Sequence, residues 1–126
     1  GACTVQVDGA PVRACLILAA QIDGADVRTV EALTPTAQQL SPLQAAFREK
    51  HGLQCGFCTP GILMTLDALL TARPDASEQE IREHLSGHLC RCTGYATIVA
   101  AALAAVEEMR KEQKVLLSFQ KDKKKL

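Results

Sequence analysis

Tryptophan is absent from this chain, and one tyrosine and three phenylalanines make aromatics only 3% of its 126 residues. A core must therefore be built from Leu, Ile, Val and Ala, which favours close helix packing. An excess of charge of one sign is lacking too: 14 Lys and Arg balance 14 Asp and Glu, a formal net charge of zero. No general attraction to nucleic acid or to an anionic membrane surface is expected. The longest strongly apolar stretch, Ala96 to Val106, is too short for a bilayer and carries a helical stripe. There is no glycine-rich phosphate cradle and no Ser/His/Asp set, so no autonomous active site is expected. Nothing resembles a secretory signal, so the six cysteines do not read as a disulfide framework.

Four of those cysteines fall in two close pairs, Cys55 and Cys58 in QCGFCTPG and Cys90 and Cys92 in HLCRCTGY. Such spacings suit metal ligation better than crosslinking. The settings match: a helical pattern ends at Gly52 before the first pair and at Gly87 before the second, where a left-handed glycine closes a helix. After each pair comes Thr59 or Thr93, read as an N-cap, with Pro60 at the first helical position of the segment after Cys58. The chain thus reads twice as helix, glycine stop, cysteine pair, threonine cap, helix. Two such units facing each other bring four thiolates round one point, with helix N-termini offsetting the charge of an anionic cluster. Arg91, between two ligands, adds positive charge that favours the reduced state. Spacing alone leaves zinc and iron-sulfur open.

Around this centre the pattern changes along the chain. Residues 3 to 22 alternate as strands do, with Asp8-Gly9 as a hairpin turn and a further short strand around Val27 to Val30. These strands are too few to bury a sheet face alone. From Thr34 the pattern is helical: Ser41-Pro42 opens one helix, Ile62 to Leu70 fill a second, Ser77 to Glu80 form a capping box for a third, and Ile98 to Met109 stripe a fourth. The expected fold is α+β, with residues 34–111 a four-helix cluster-binding domain and 112–126 a basic, disordered tail.

The cysteine motifs, in order, resemble the small iron-sulfur subunit of the xanthine dehydrogenase and aerobic carbon monoxide dehydrogenase group of molybdenum hydroxylases. QCGFCTPG at Gln54 to Gly61 and LCRCTGY at Leu89 to Tyr95 carry the match, which runs from Gly1 to about Arg110. The resemblance implies that Cys55, Cys58, Cys90 and Cys92 ligate a 2Fe-2S cluster and that Gln54 sits beside a molybdopterin cofactor. It implies that the chain is a subunit of an oxidoreductase complex, passing electrons from a molybdopterin-containing large subunit toward an FAD-containing medium subunit or other acceptor. A cytoplasmic location is expected, or a periplasmic one as part of a complex.

The segment GACTVQVDG resembles the part of a plant-type, β-grasp ferredoxin-like domain that closes a second 2Fe-2S cluster, with Cys3 and Cys15 as its third and fourth ligands. Residues 1–33 are then a partial ferredoxin-like domain. The first two ligands of that pattern are absent, so this second cluster is expected to be missing and Cys3 and Cys15 idle as remnant ligands. His88 stands where the family commonly has Asn, a change expected in loop hydrogen bonding or cluster potential without loss of a ligand. A structural zinc or thiol-switch module and a non-functional fragment are the competing readings. The residues flanking the cysteines favour iron-sulfur over zinc. His84 and His88 are expected outside the ligand set, and His51 in a capping role at a helix C-terminus.

Overall fold

The computed structural model describes the backbone of residues 1–34, 36 and 39–123 and the side chains of these up to residue 115. Among the described residues the fold has four α-helices and a small sheet: β1 (Thr4–Val7), β2 (Ala10–Arg13), β3 (Val27–Arg28), α1 (Pro42–Glu49), α2 (Thr59–Ala72), α3 (Glu78–Leu85) and α4 (Ala96–Lys123). The α+β class and the helix count agree with the sequence reading.

β1 is central in the order β2-β1-β3, antiparallel to both neighbours. Asp8 and Gly9, with φ of 50° and 81°, make the two-residue turn that Asp-Gly favours between β1 and β2. After Arg13 the expected alternation stops, and Ala14–Leu16 and Ala19–Ile22 are 3-10 turns. β1 buries Thr4 and Gln6 against α2, while Val5 and Val7 are only half-buried. The amide of Gln6 donates to the Met64 carbonyl (3.0 Å) and to Asp67 (2.9 Å), so the buried face of the strand is the polar one, and satisfied.

The helical unit follows its caps. Ser41 and Ser77 each accept from the backbone three residues on, and Gln44 and Glu80 reach back to close the capping boxes. Leu43, Phe47, Ile62, Leu66, Leu70, Ile81, Leu85, Ile98, Ala102 and Val106 form the core, almost wholly aliphatic. Two local expectations are corrected. Neither Gly52 nor Gly87 is left-handed; at the end of α1 that conformation is taken by His51 (φ 54°), and Gly52 donates to the Phe47 carbonyl at 2.8 Å to close the Schellman pattern. Gly52 is needed for space: a Cβ there would lie 2.9 Å from Phe47 and 3.1 Å from Ala101. Nor is Thr59 an N-cap, since α2 begins at Thr59 with Cys58 in the capping position.

α4 also departs from expectation. It continues without interruption to Lys123, across most of the segment read as a disordered tail. No glycine or proline follows Gly94 to stop it, and Lys111 pairs with Glu108 one turn earlier (3.2 Å). Residues 124–126 of that segment lie outside the described residues.

Candidate metal centre

The loop Gly52 to Cys58 joins α1 to α2, and the loop Ser86 to Tyr95 joins α3 to α4. Gly56 (φ 81°) and Gly94 (φ 62°) supply the left-handed turns within them. The loops meet so that the thiols fall in two cross-loop neighbour pairs, Cys55 with Cys92 and Cys58 with Cys90. Among the described residues no group of three His, Cys, Asp or Glu is placed to hold a single metal ion. Pairs of soft donors facing each other from two loops fit a two-iron core, each iron taking two thiolates, better than one tetrahedral ion.

Cys55 and Cys92 are exposed and Cys58 and Cys90 half-buried, the last two packed against the helical core. Burial pushes the Cys58 thiol up to about 11, helped by the neighbouring Cys90 thiol. Burial also raises Cys90, but hydrogen bonds from the Thr93 hydroxyl and from backbone amides outweigh it and hold that thiol down at about 7. The Phe57 amide, then Cys92, lower the Cys55 thiol.

Gln54 is exposed beside Cys55, and Phe57 (79% exposed) and Leu89 (87%) make an apolar rim beside the cysteines. His88 is buried, with Nε2 2.7 Å from the Thr65 hydroxyl, and His84 is exposed on α3 with Nδ1 2.9 Å from the Glu80 carbonyl. Neither histidine joins the cysteines. Burial, then the positive charges of Arg13 and the amino terminus, holds the His88 imidazole down at about 4, so it is neutral at pH 7.

Cys3 and Cys15 come together at the end of the β1-β2 hairpin, with sulfurs 3.2 Å apart. This pair is tied to the four-cysteine site by features the sequence reading did not single out. Gly61, three residues after Cys58, lies so close to Gly1 that a Cβ on it would stand 2.0 Å from the Gly1 carbonyl oxygen. Arg13, two residues before Cys15, donates to Thr4 beside Cys3 and to the Gly87 carbonyl (2.6 Å) ahead of Cys90. Tyr95, read only as opening a helix, donates its hydroxyl to the His88 carbonyl (2.8 Å) and accepts from the Cys90 amide (2.9 Å). One signal for it was available: it is the only tyrosine of the chain, and it directly follows a ligand motif.

The family model for the 2Fe-2S binding domain matches residues 29–103. The chain is 60% identical over 105 residues to the nicotine 6-hydroxylase small subunit of Paenarthrobacter nicotinovorans, covering 83% of this chain and 62% of that one. It is 54% identical over 121 residues to the caffeine dehydrogenase subunit gamma of Pseudomonas sp. strain CBB1, covering 92% and 72%. Among solved structures, quinoline 2-oxidoreductase from Pseudomonas putida 86 superposes with a TM-score of 0.79 at 49% identity, over 86% of this chain and 68% of that one. The chain therefore spans roughly six- to seven-tenths of the length of these relatives. Among the described residues no helix is long and apolar enough to cross a membrane.

Proposed function

Because the chain belongs to the 2Fe-2S binding domain family, we propose that it is an electron-transfer subunit of a molybdenum hydroxylase-type oxidoreductase. In this reading it accepts electrons from a molybdopterin-bearing partner and passes them toward an FAD-bearing partner or another acceptor. The observation that carries it is the meeting of two cysteine loops as facing pairs, Cys55 with Cys92 and Cys58 with Cys90. These four residues would hold the cluster. When bound, a 2Fe-2S cluster supplies a one-electron carrier.

The chain's own residues supply the setting. Cys58 sits at the N-terminus of α2, where the helix dipole favours negative charge. The exposed Phe57 and Leu89 offer apolar contact to the molybdopterin-bearing partner, with Gln54 on the same loop as Phe57 and next to the pterin. On the far side, residues 1–33 are proposed as a remnant of a ferredoxin-like domain, with Cys3 and Cys15, their sulfurs 3.2 Å apart, as remnant ligands of a second 2Fe-2S centre. The relatives named above bear the names of nitrogen heterocycles, nicotine, caffeine and quinoline, and this favours the same substrate class for the complex. The proposed compartment is the cytoplasm, where cysteines stay reduced.

The test is anaerobic reconstitution of the chain, followed by assay of iron, labile sulfide and zinc and by EPR after dithionite reduction. About two irons and two sulfides per chain, with an S = 1/2 signal on reduction, are expected for the four-cysteine site. Stoichiometric zinc without sulfide would overturn the reading in favour of a structural zinc module.

A further inference from the structure

The short loop from Cys90 to Tyr95 contains a chain of hydrogen bonds that ends on a ligand sulfur. Gly94 and Tyr95 are both left-handed, with φ of 62° and 68°, and such a conformation is unfavourable for a bulky residue such as Tyr95. It persists where surrounding bonds over-determine it. Here every polar group of Tyr95 is engaged. Its carbonyl accepts the Val99 amide at 2.9 Å, the first turn of α4. Its hydroxyl bridges the Cys90 amide and the His88 carbonyl, and its own amide donates to the Thr93 hydroxyl oxygen at 3.1 Å.

That last bond fixes a direction. The Thr93 oxygen has one proton and two acceptor sites, and it must accept from Tyr95, since a backbone amide can only donate. The same oxygen lies 3.1 Å from the Cys90 sulfur. A ligating thiolate carries no proton, so the hydroxyl proton goes to sulfur. Hydrogen bonds to ligand sulfurs stabilise the more negative, reduced state of an iron-sulfur centre.

We propose that Thr93 sets the reduction potential of this centre by donating its hydroxyl proton to the Cys90 thiolate, and that Tyr95 is the positioning residue that holds Thr93 in that orientation. This rests on the reading of Cys90 as a cluster ligand. One electron is taken up on reduction, no proton is transferred, and no bond is broken.

The experiment separates the hydroxyl from the methyl group. Parent, Thr93→Ser, Thr93→Val and Thr93→Ala chains are reconstituted, assayed for iron and sulfide, and titrated by EPR-monitored reduction. Parent and Ser are expected to share one potential. Val and Ala, with iron retained, are expected to be about tenfold harder to reduce, a fall of about 59 mV for one electron. In Tyr95→Phe, which keeps the amide and loses the hydroxyl bridge that holds this backbone, a potential shifted from the parent toward that of Val and Ala is expected in the iron-loaded chain, and a parent potential overturns the positioning role of Tyr95. Potentials that sort with the methyl group, Val with Thr and Ala with Ser, overturn the proposal. Unchanged potentials throughout also overturn it, as does failure of both hydroxyl-free variants to retain iron while Ser retains it, since the hydroxyl would then serve assembly. A parent chain that binds no iron and sulfide instead sinks the underlying reading of the site.

Discussion

Replacing Gly61 by Ala sets two effects of opposite sign against each other. Helix propensity alone predicts a gain, because Gly61 lies in the first turns of α2 and Ala is favoured there by up to about 1 kcal/mol. Close approach predicts a loss. The added Cβ would stand 2.0 Å from the Gly1 carbonyl oxygen and 2.7 Å from its carbon, against the 3.0 Å that real Cβ atoms respect. The Gly1 segment would have to retreat by about 1 Å, and it is not free to do so. Its carbonyl accepts the Thr4 amide at 3.1 Å and the Thr4 hydroxyl at 2.6 Å. Retreat would drag β1 off α2 and stretch the two bonds of the Gln6 amide, a group only 1% exposed. Leaving one such buried donor unsatisfied costs about 1–3 kcal/mol, more than the propensity gain. A net loss of about 1–2 kcal/mol is expected, a fall in Tm of roughly 3–10 °C for a chain of this size. Thermal and urea unfolding of the reconstituted chain measure it, and faster hydrogen exchange at the Thr4 amide locates it. A Tm equal to or above that of the parent would refute the reasoning, because propensity would then have won and the Gly1 contact would carry no weight.

Cys58→Ser is expected to strip the cluster and, in the proposed complex, to block electron delivery to the proposed flavin partner while leaving molybdenum insertion intact; normal flavin reduction in a complex carrying that variant excludes the proposed route. Gln6→Ala is expected to lower stability by about 1–2 kcal/mol, read from the urea midpoint, and no change would mean that the Met64 and Asp67 contacts are not energetically coupled to folding. The Ser77 amide, then its hydroxyl, and the Arg73 charge hold the Glu80 carboxyl below its ordinary 4.5, so this stabilisation is present above pH 4.5 and is lost as pH falls through the folded value. Glu80→Gln is therefore expected to be less stable than the parent at neutral pH and to converge on it once the pH has fallen below the folded-state value of Glu80. A difference that stays constant across that range contradicts the capping box as its source.

What was legible in the sequence is what a few neighbouring residues determine. The Asp8-Gly9 turn, the helix start at Ser41-Pro42 and the Ser77 capping box are local patterns, and each appears where expected. What was not legible depends on partners distant in the chain. Gly52 was assigned a backbone role because glycine after a helix so often has one, yet it is glycine because Phe47 and Ala101 leave no room, and Ala101 belongs to another helix. The composition of the last residues points to disorder, yet α4 runs on to Lys123 because nothing in its sequence stops a helix. Tyr95 was passed over because its use depends on two consecutive left-handed residues, a conformation that no periodicity reports.

The buried polar face of β1 explains how the hairpin is held in a single register. Hydrophobic patterning alone would turn Val5 and Val7 inward, and a slip of one residue would do so, since strand faces alternate. The gain would be small, about 1 kcal/mol for each valine, because both are already half-buried. Against it stand the bonds from Gln6 to Met64 and Asp67, from Thr4 to Gly1, and from Arg13 to Thr4 and Gly87. At about 1 kcal/mol net for each of these, the polar register prevails. Those from Gln6 to Met64 and Asp67 and from Arg13 to Gly87 also run between the hairpin that ends at Cys3 and Cys15 and the elements that carry Cys58 and Cys90. Whatever fixes the strand register therefore also fixes the spacing of the two cysteine groups, and an apolar interface free to slide would fix neither.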